Sequence, residues 1–80
     1  TPSVAYLRSS RMLRFDLAGL EGMDIEIRDL RGRLLASFPA SSLAGGERPQ
    51  WRVPAWLGRG MLVVTMRSMR TTRTMRVLID

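Results

Sequence analysis

The chain has 80 residues, 45% of them hydrophobic, and its 13 basic and seven acidic residues give a formal net charge of +6. This length allows one small domain with a thin core, and no apolar run approaches the roughly 20 residues of a membrane-spanning helix. Cys, His and Lys are absent, which removes disulfides, thiolate metal sites, histidine general bases and Schiff-base chemistry. We therefore expect no enzyme, no cofactor and no membrane span.

The first part of the chain predicts two strands. Residues 4–8 form a short candidate strand. Residues 12–17 alternate, with Leu13, Phe15 and Leu17 on the apolar face and Arg14 and Asp16 on the other. Residues 18–22 contain two glycines and predict a loop.

A β-hairpin is predicted where residues 23–35 read MDIEIRDLRGRLL. Ile25 and Ile27 should face the core, while Glu26 and Arg28 should face solvent. The run Asp-Leu-Arg-Gly at 29–32 supplies turn chemistry, with Asp first and Gly last. After the turn, three side chains are expected to resume the apolar face: Leu34, Ala36 and Phe38.

The second half of the chain predicts three further strands. Residues 39–50 are rich in Pro, Ser and Gly and predict a connection, and residues 48–53 are a candidate strand with Trp51 and Val53 on one face. Residues 54–58 resemble a tight, 3₁₀-like turn. After Gly60 a strand should place Leu62, Val64 and Met66 in the core, and residues 67–70 should turn the chain into a last strand at 71–79. About seven short strands, with turns every 8–12 residues, predict an all-β sandwich.

Three segments together resemble a known family. They are DIEIRDLRGRLL at 24–35, LGRGMLVV at 57–64 and RVLI at 76–79, with Trp51 between the first two. This order and spacing resembles the C-terminal sorting domains of proteins exported by type IX secretion. It is also similar to the basic C-terminal modules of secreted bacterial polysaccharide hydrolases. The resemblance covers residues 12–79.

The resemblance implies a fold and a role. The implied fold is an Ig-like β-sandwich of about seven short antiparallel strands. The implied role is a non-catalytic sorting and cell-surface attachment module, secreted or associated with the outer membrane, whose partner is the secretion machinery or an anionic cell-surface component. The chain begins at Thr1 without Met, and we interpret residues 1–80 as the C-terminal domain of a larger secreted protein.

The arginines are the candidate polyanion-binding residues. A basic surface attracts polyanions, and Arg makes bidentate contacts with phosphate and carboxylate. Nucleic acid is disfavoured as the partner because no aromatic residues alternate with these arginines. Two alternatives stay open: a solvated strand face that protects a sheet edge, and a GC-rich codon usage that favours Arg over Lys. The candidate residues are Arg59, Arg67, Arg70, Arg73 and Arg76.

An alternative function is carbohydrate binding, in which Trp51 and Trp56 stack on sugar rings of a polysaccharide. The competing interpretation is that one or both rings fill the thin core. Asp24 and Glu26 form a pair of carboxylates on one strand face, which glycosidases also use. We instead expect a salt-bridged outer surface shared with Arg28 and Arg14. The six methionines are expected to fill gaps in the core.

Overall fold

The computed structural model describes residues 2–18, 22–43 and 48–80. The loop predicted at 18–22 and the connection predicted at 39–50 therefore lie partly outside the described residues. Within the described residues the predicted strands are present, with boundaries shifted by one or two positions. They are β1 (Ser3–Leu7), β2 (Met12–Asp16), β3 (Asp24–Asp29), β4 (Leu34–Pro39), β5 (Gln50–Arg52), β6 (Gly60–Arg67) and β7 (Thr72–Ile79).

The strands form two antiparallel sheets. One sheet has the order β1-β2-β5 and the other has the order β4-β3-β6-β7. The pairing of β2 with β5 corresponds to that of strands B and E in immunoglobulin-like sandwiches, and the pairing of β3 with β6 corresponds to that of strands C and F. The β4 strand takes the C′ position beside strand C. The all-β, Ig-like sandwich predicted from the sequence is confirmed in this topology.

Alternation along the strands builds the core between the sheets. On β6 the side chains of Leu62, Val64 and Met66 are buried, as predicted, and on β3 those of Ile25 and Ile27 are buried. The remaining buried hydrophobic residues are Leu13, Phe15, Met23, Ala40, Val53, Val77 and Ile79. Because a slip of one residue would expose each of these sets, burial on one face fixes the register of the strands.

The β3–β4 turn has the chemistry that the sequence predicts. The backbone N–H of Gly32 donates to the Asp29 carbonyl at 3.1 Å, and Gly32 has a φ of +88°. The Asp29 carboxylate accepts the backbone N–H groups of Arg31 and Arg33, both at 2.9 Å. These bonds define a three-residue hairpin loop, in which glycine supplies the left-handed backbone.

One predicted face is wrong at Leu34. Ala36 pairs with Ile27 on the core side, whereas Leu34 pairs with Arg28, and the register shifts between these two pairs. The resulting β-bulge turns Leu34 outward, where it is 46% exposed, and Leu35 packs against the core instead. Strict alternation from Leu34 to Phe38 fails because it does not allow for this extra residue.

Candidate binding surfaces

The turns between the strands lie at two opposite ends of the sandwich. We call one end the Trp56 end: it contains the turn after β1, the β3–β4 turn, the short 3₁₀ turn Ala55–Leu57 and residue 80. We call the other the Met69 end: it contains the β6–β7 turn and the start of β3. Since β6 crosses the molecule between them, residues 59 and 67 are roughly 26 Å apart at about 3.3 Å per residue.

The five candidate arginines do not form one cluster. Arg59 lies at the Trp56 end, because the next residue, Gly60, pairs with Ile79. Arg67 and Arg70 lie at the Met69 end, where Arg67 is the last residue of β6 and Arg70 lies within the β6–β7 turn. The turn is held by Ser68, whose backbone N–H donates to the Thr71 carbonyl at 2.7 Å. The candidate arginines therefore lie at both ends of the fold.

The remaining two arginines lie on β7, at the edge of the four-stranded sheet. Arg76 pairs with Val63 on the outer face. Arg73 pairs with Met66, so it lies on the core side of β7. At this position β7 is at the margin of the sheet. Both side chains are exposed, and no ion pair with a described carboxylate is found for Arg70, Arg73 or Arg76. These arginines are available to an external anion.

Arg67 is in a different electrostatic setting. Its Nη2 lies 3.8 Å from Glu26 Oε1, and Arg28 Nη2 lies 3.7 Å from Glu26 Oε2. An open depression of about 310 Å³ lies beside Arg67 and is also lined by Asp24 and Ser37. With two carboxylates in its wall, this depression is less suited to an anion than the turn itself.

The two carboxylates on β3 lie on the arginine-bridged outer face that was predicted. The partner expected from the other strand is wrong, however. Arg14 lies on β2, where it pairs with Gln50 in the three-stranded sheet, so it does not share a face with Glu26. Within residues 2–18, 22–43 and 48–80, no cluster of three or more metal-ligating side chains occurs.

Trp51 is an internal packing residue. It lies on β5 opposite Leu13, and its ring stacks on Phe38 of the other sheet with 6.4 Å between centroids and 26° between planes. Phe38 in turn meets Phe15 edge to face, with 6.5 Å between centroids. One face of the Trp51 ring is therefore occupied, and the core interpretation is confirmed for this residue.

Trp56 is exposed, and the core interpretation is wrong for it. It sits on the 3₁₀ turn between Pro54 and Gly58, which is closed by the Leu57 N–H donating to the Pro54 carbonyl at 3.0 Å. Leu57 packs against the core, while the side chain of Trp56 is 69% exposed. The packing of Leu57 holds the turn against the core, and the indole ring of Trp56 extends into solvent.

The methionines, like the two tryptophans, include both core residues and an exposed residue. Met23 and Met66 are buried, and Met75 packs against the core, as gap-filling predicts. Met69 is fully exposed at the apex of the β6–β7 turn, so the prediction is wrong there.

The Trp56 end is a basic surface that sequence reasoning missed as a unit. It gathers arginines from turns that are far apart in the chain. The tie between two of these turns is visible in the backbone: the Val53 N–H donates to the Arg11 carbonyl at 2.9 Å, and Arg11 Nη2 donates to the Pro54 carbonyl at 3.5 Å. A third link joins Arg8 to Asp80, 72 positions away. The sequence signal is the presence of arginine in or beside the turns at this end.

No protein-family model, curated protein or solved structure matches this chain. Among the described residues, no helix has the length and apolar character needed to cross a membrane.

Proposed function

We propose that this chain is a non-catalytic sorting and attachment module of a secreted bacterial protein, which holds its parent protein to an anionic component of the cell surface. The observation that carries the proposal is where the family-like segments lie. The segment at 24–35 forms the β3–β4 hairpin, that at 57–64 leads into β6, and that at 76–79 ends β7. These strands are neighbours in one sheet, so the segments make up a single structural unit.

The attachment residues in this proposal are Arg70 and Arg73, which lie in or beside the β6–β7 turn. Arg67 and Arg76 are secondary contacts, because Arg67 is bridged to Glu26 and Arg76 lies farther along β7 on the outer face. A polyanion bridging several exposed arginines gains affinity from many weak contacts, and that affinity falls steeply with salt. Arg59 lies too far away to share one short anionic segment with them. It belongs to the opposite end of the same module.

A reporter fusion tests the sorting role. A fluorescent protein carrying the 80 residues at its C-terminus is expressed in a bacterium with type IX secretion and in a matched strain without that machinery. We expect the reporter outside the first strain and retained inside the second. Retention inside both strains, for a fusion that is folded and intact, would contradict the sorting role.

A charge-matched pair of variants tests the attachment residues. Arg70→Ser with Arg73→Ser should release the exported reporter into the medium. Arg14→Ser with Arg48→Ser, which removes the same charge elsewhere, should leave it on the cells. Equal release by both pairs would show that only total charge matters.

The exposure of Trp56 favours a second candidate function, a carbohydrate-binding module attached to a polysaccharide hydrolase. An exposed indole on a rigid turn offers a flat face to a sugar ring. Pull-down on cellulose, xylan and an acidic glycan tests it. Binding that survives high salt and is lost in Trp56→Ala supports stacking, whereas binding abolished by salt supports the arginines.

A further inference from the structure

The exposed apolar side chains of the described residues are distributed unevenly between the two ends. Five large hydrophobic side chains are exposed. Of those that the structure describes, Met69 is the one at the Met69 end. The other four lie on turns of the Trp56 end or within two residues of it: Leu30, Leu34, Trp56 and Leu78. Monomeric proteins seldom collect exposed apolar residues on one surface without a partner for it.

The two most prominent of these residues stand at turn tips. Leu30 is 62% exposed in the β3–β4 turn, and Trp56 is 69% exposed on its 3₁₀ turn. The two turns belong to adjacent strands, since β3 pairs with β6 and Asp29 lies opposite Leu62. Neighbouring strands are about 4.8 Å apart, so the two turns lie at the same end of the sandwich.

Arginines surround these tips. Among the described residues, the carboxylates at this end are Asp29 and Asp80, which pair with Arg33 and Arg8 respectively. The Asp29 carboxylate is also engaged by two backbone N–H groups of its own turn. Positive charge is therefore in excess. The arginines at this end are Arg8, Arg11, Arg31, Arg33, Arg52 and Arg59.

We propose that the Trp56 end docks on the surface of an anionic lipid bilayer, with Trp56 and Leu30 entering the headgroup region and the surrounding arginines contacting lipid phosphates. Trp is favoured at membrane–water interfaces, where its ring is buried and its N–H stays near polar groups. Basic residues close to an anionic leaflet add to the attraction.

The exposed apolar side chains of Leu30 and Trp56, together with the arginines, favour an anionic bilayer over other partners. A soluble polyanion would use the arginines but would leave Leu30 and Trp56 in water. A neutral sugar ring would use Trp56 but would gain nothing from Leu30 or from the excess of arginines. An anionic bilayer accommodates both groups at once. The inference is independent of the sorting proposal, because the two surfaces lie at opposite ends of β6.

Fluorescence of the purified 80-residue chain tests the docking. The chain has two tryptophans, so Trp51→Phe leaves Trp56 as the reporter. With vesicles of equal phosphatidylglycerol and phosphatidylcholine, we expect its emission to shift to shorter wavelength and to be quenched by brominated lipid. Pure phosphatidylcholine vesicles should cause little change. In Trp56→Phe, emission from Trp51 should stay nearly constant.

Co-sedimentation with the same vesicles separates the two ends. Trp56→Ala, or Arg31→Ser with Arg59→Ser, should lower the partition coefficient, by roughly fivefold for each arginine removed. Met69→Ala and the pair Arg14→Ser with Arg48→Ser are the matched controls and should change it less than twofold. Circular dichroism confirms that each variant is folded.

Three outcomes would overturn the proposal. The first is no binding to anionic vesicles at low salt. The second is a loss of binding in the control variants that equals or exceeds the loss in the Trp56-end variants. The third is binding that soluble heparin abolishes and that leaves Trp56 emission unshifted, which would indicate a soluble polyanion as the partner. None of these outcomes bears on export of the reporter fusion.

Discussion

Trp51 and Phe38 join the two sheets of the sandwich. Their rings stack with 6.4 Å between centroids, one on β5 and the other on β4, and neither strand pairs with the other. Because β5 has only three residues, few backbone bonds hold it, and this aromatic contact fixes its distance from the opposite sheet. The two tryptophans therefore have different roles although they are five positions apart.

The first prediction contrasts these two residues. Trp51→Ala should lower the free energy of unfolding by about 2–3 kcal/mol, somewhat below the value for a fully buried ring, because one side of it is open. Trp56→Ala should change it by less than about 0.5 kcal/mol, since its ring is exposed. Urea unfolding followed by circular dichroism measures both. Equal losses for the two variants would contradict the assignment of Trp51 to the core and Trp56 to the surface.

The second prediction concerns the β3–β4 turn. Asp29→Ala removes the acceptor of two backbone N–H bonds and should cost about 1 kcal/mol of unfolding free energy. Asp29→Asn keeps a side-chain oxygen acceptor and loses only the exposed pair with Arg33, so it should cost less. Gly32→Ala should cost about 1–2 kcal/mol because Gly32 has a φ of +88°.

Chemical denaturation of these three variants gives the ranking directly. If Asp29→Asn were as damaging as Asp29→Ala, the ion pair rather than the turn bonds would be the stabilising element. If Gly32→Ala were neutral, the turn would have a different backbone from the one described.

The third prediction tests the β-bulge. Leu35→Ser should cost about 1–2 kcal/mol, because Leu35 packs against the core, whereas Leu34→Ser should stay within about 0.5 kcal/mol. The two substitutions are chemically identical and adjacent, so each is the control of the other. The reverse ranking would indicate regular alternation through residues 34–38 and no bulge.

The strands could be predicted from the sequence, but the arginine surface at the Trp56 end could not. Alternation located the core residues of β3 and β6, since burial on one face leaves a period of two. The β-bulge at Leu35 has no corresponding pattern in the sequence, because it depends on the pairing of β4 with β3. The arginine surface at the Trp56 end was missed for a related reason: contacts such as Arg8 with Asp80 are set by the sheet topology and not by spacing along the chain.

The exposure of Trp56 illustrates the same limit. Trp51 and Trp56 have similar sequence neighbours, including a proline within three residues. What separates them is that Trp51 lies in a paired strand and Trp56 lies on a turn whose anchor is Leu57. Since a 3₁₀ turn of three residues can bury either of two neighbouring side chains, only the packing of the whole sandwich decides between them.

The fourth prediction concerns pH and the contact between Arg8 and Asp80. The hydrogen bond from Arg8 holds the pKa of the Asp80 carboxyl below its ordinary value of 3.8, and desolvation opposes this only in part. A lowered pKa in the folded state means that the contact stabilises the fold fully above the unfolded-state value. That contribution is lost as the pH falls through the lowered pKa. Both side chains are at the surface, so the effect on stability should be small.

Carboxyl NMR between pH 2 and pH 6 measures this pKa in the folded protein. The wild-type Asp80 signal should titrate below 3.8, and Arg8→Met should return it toward that value, because the donor is gone. Arg59→Met, which removes a weaker and more distant attraction, should shift it less. If Arg8→Met left the titration unchanged, the contact that ties the ends of β1 and β7 would not persist in solution. The Trp56 end would then lack one of the three links that assemble its arginines.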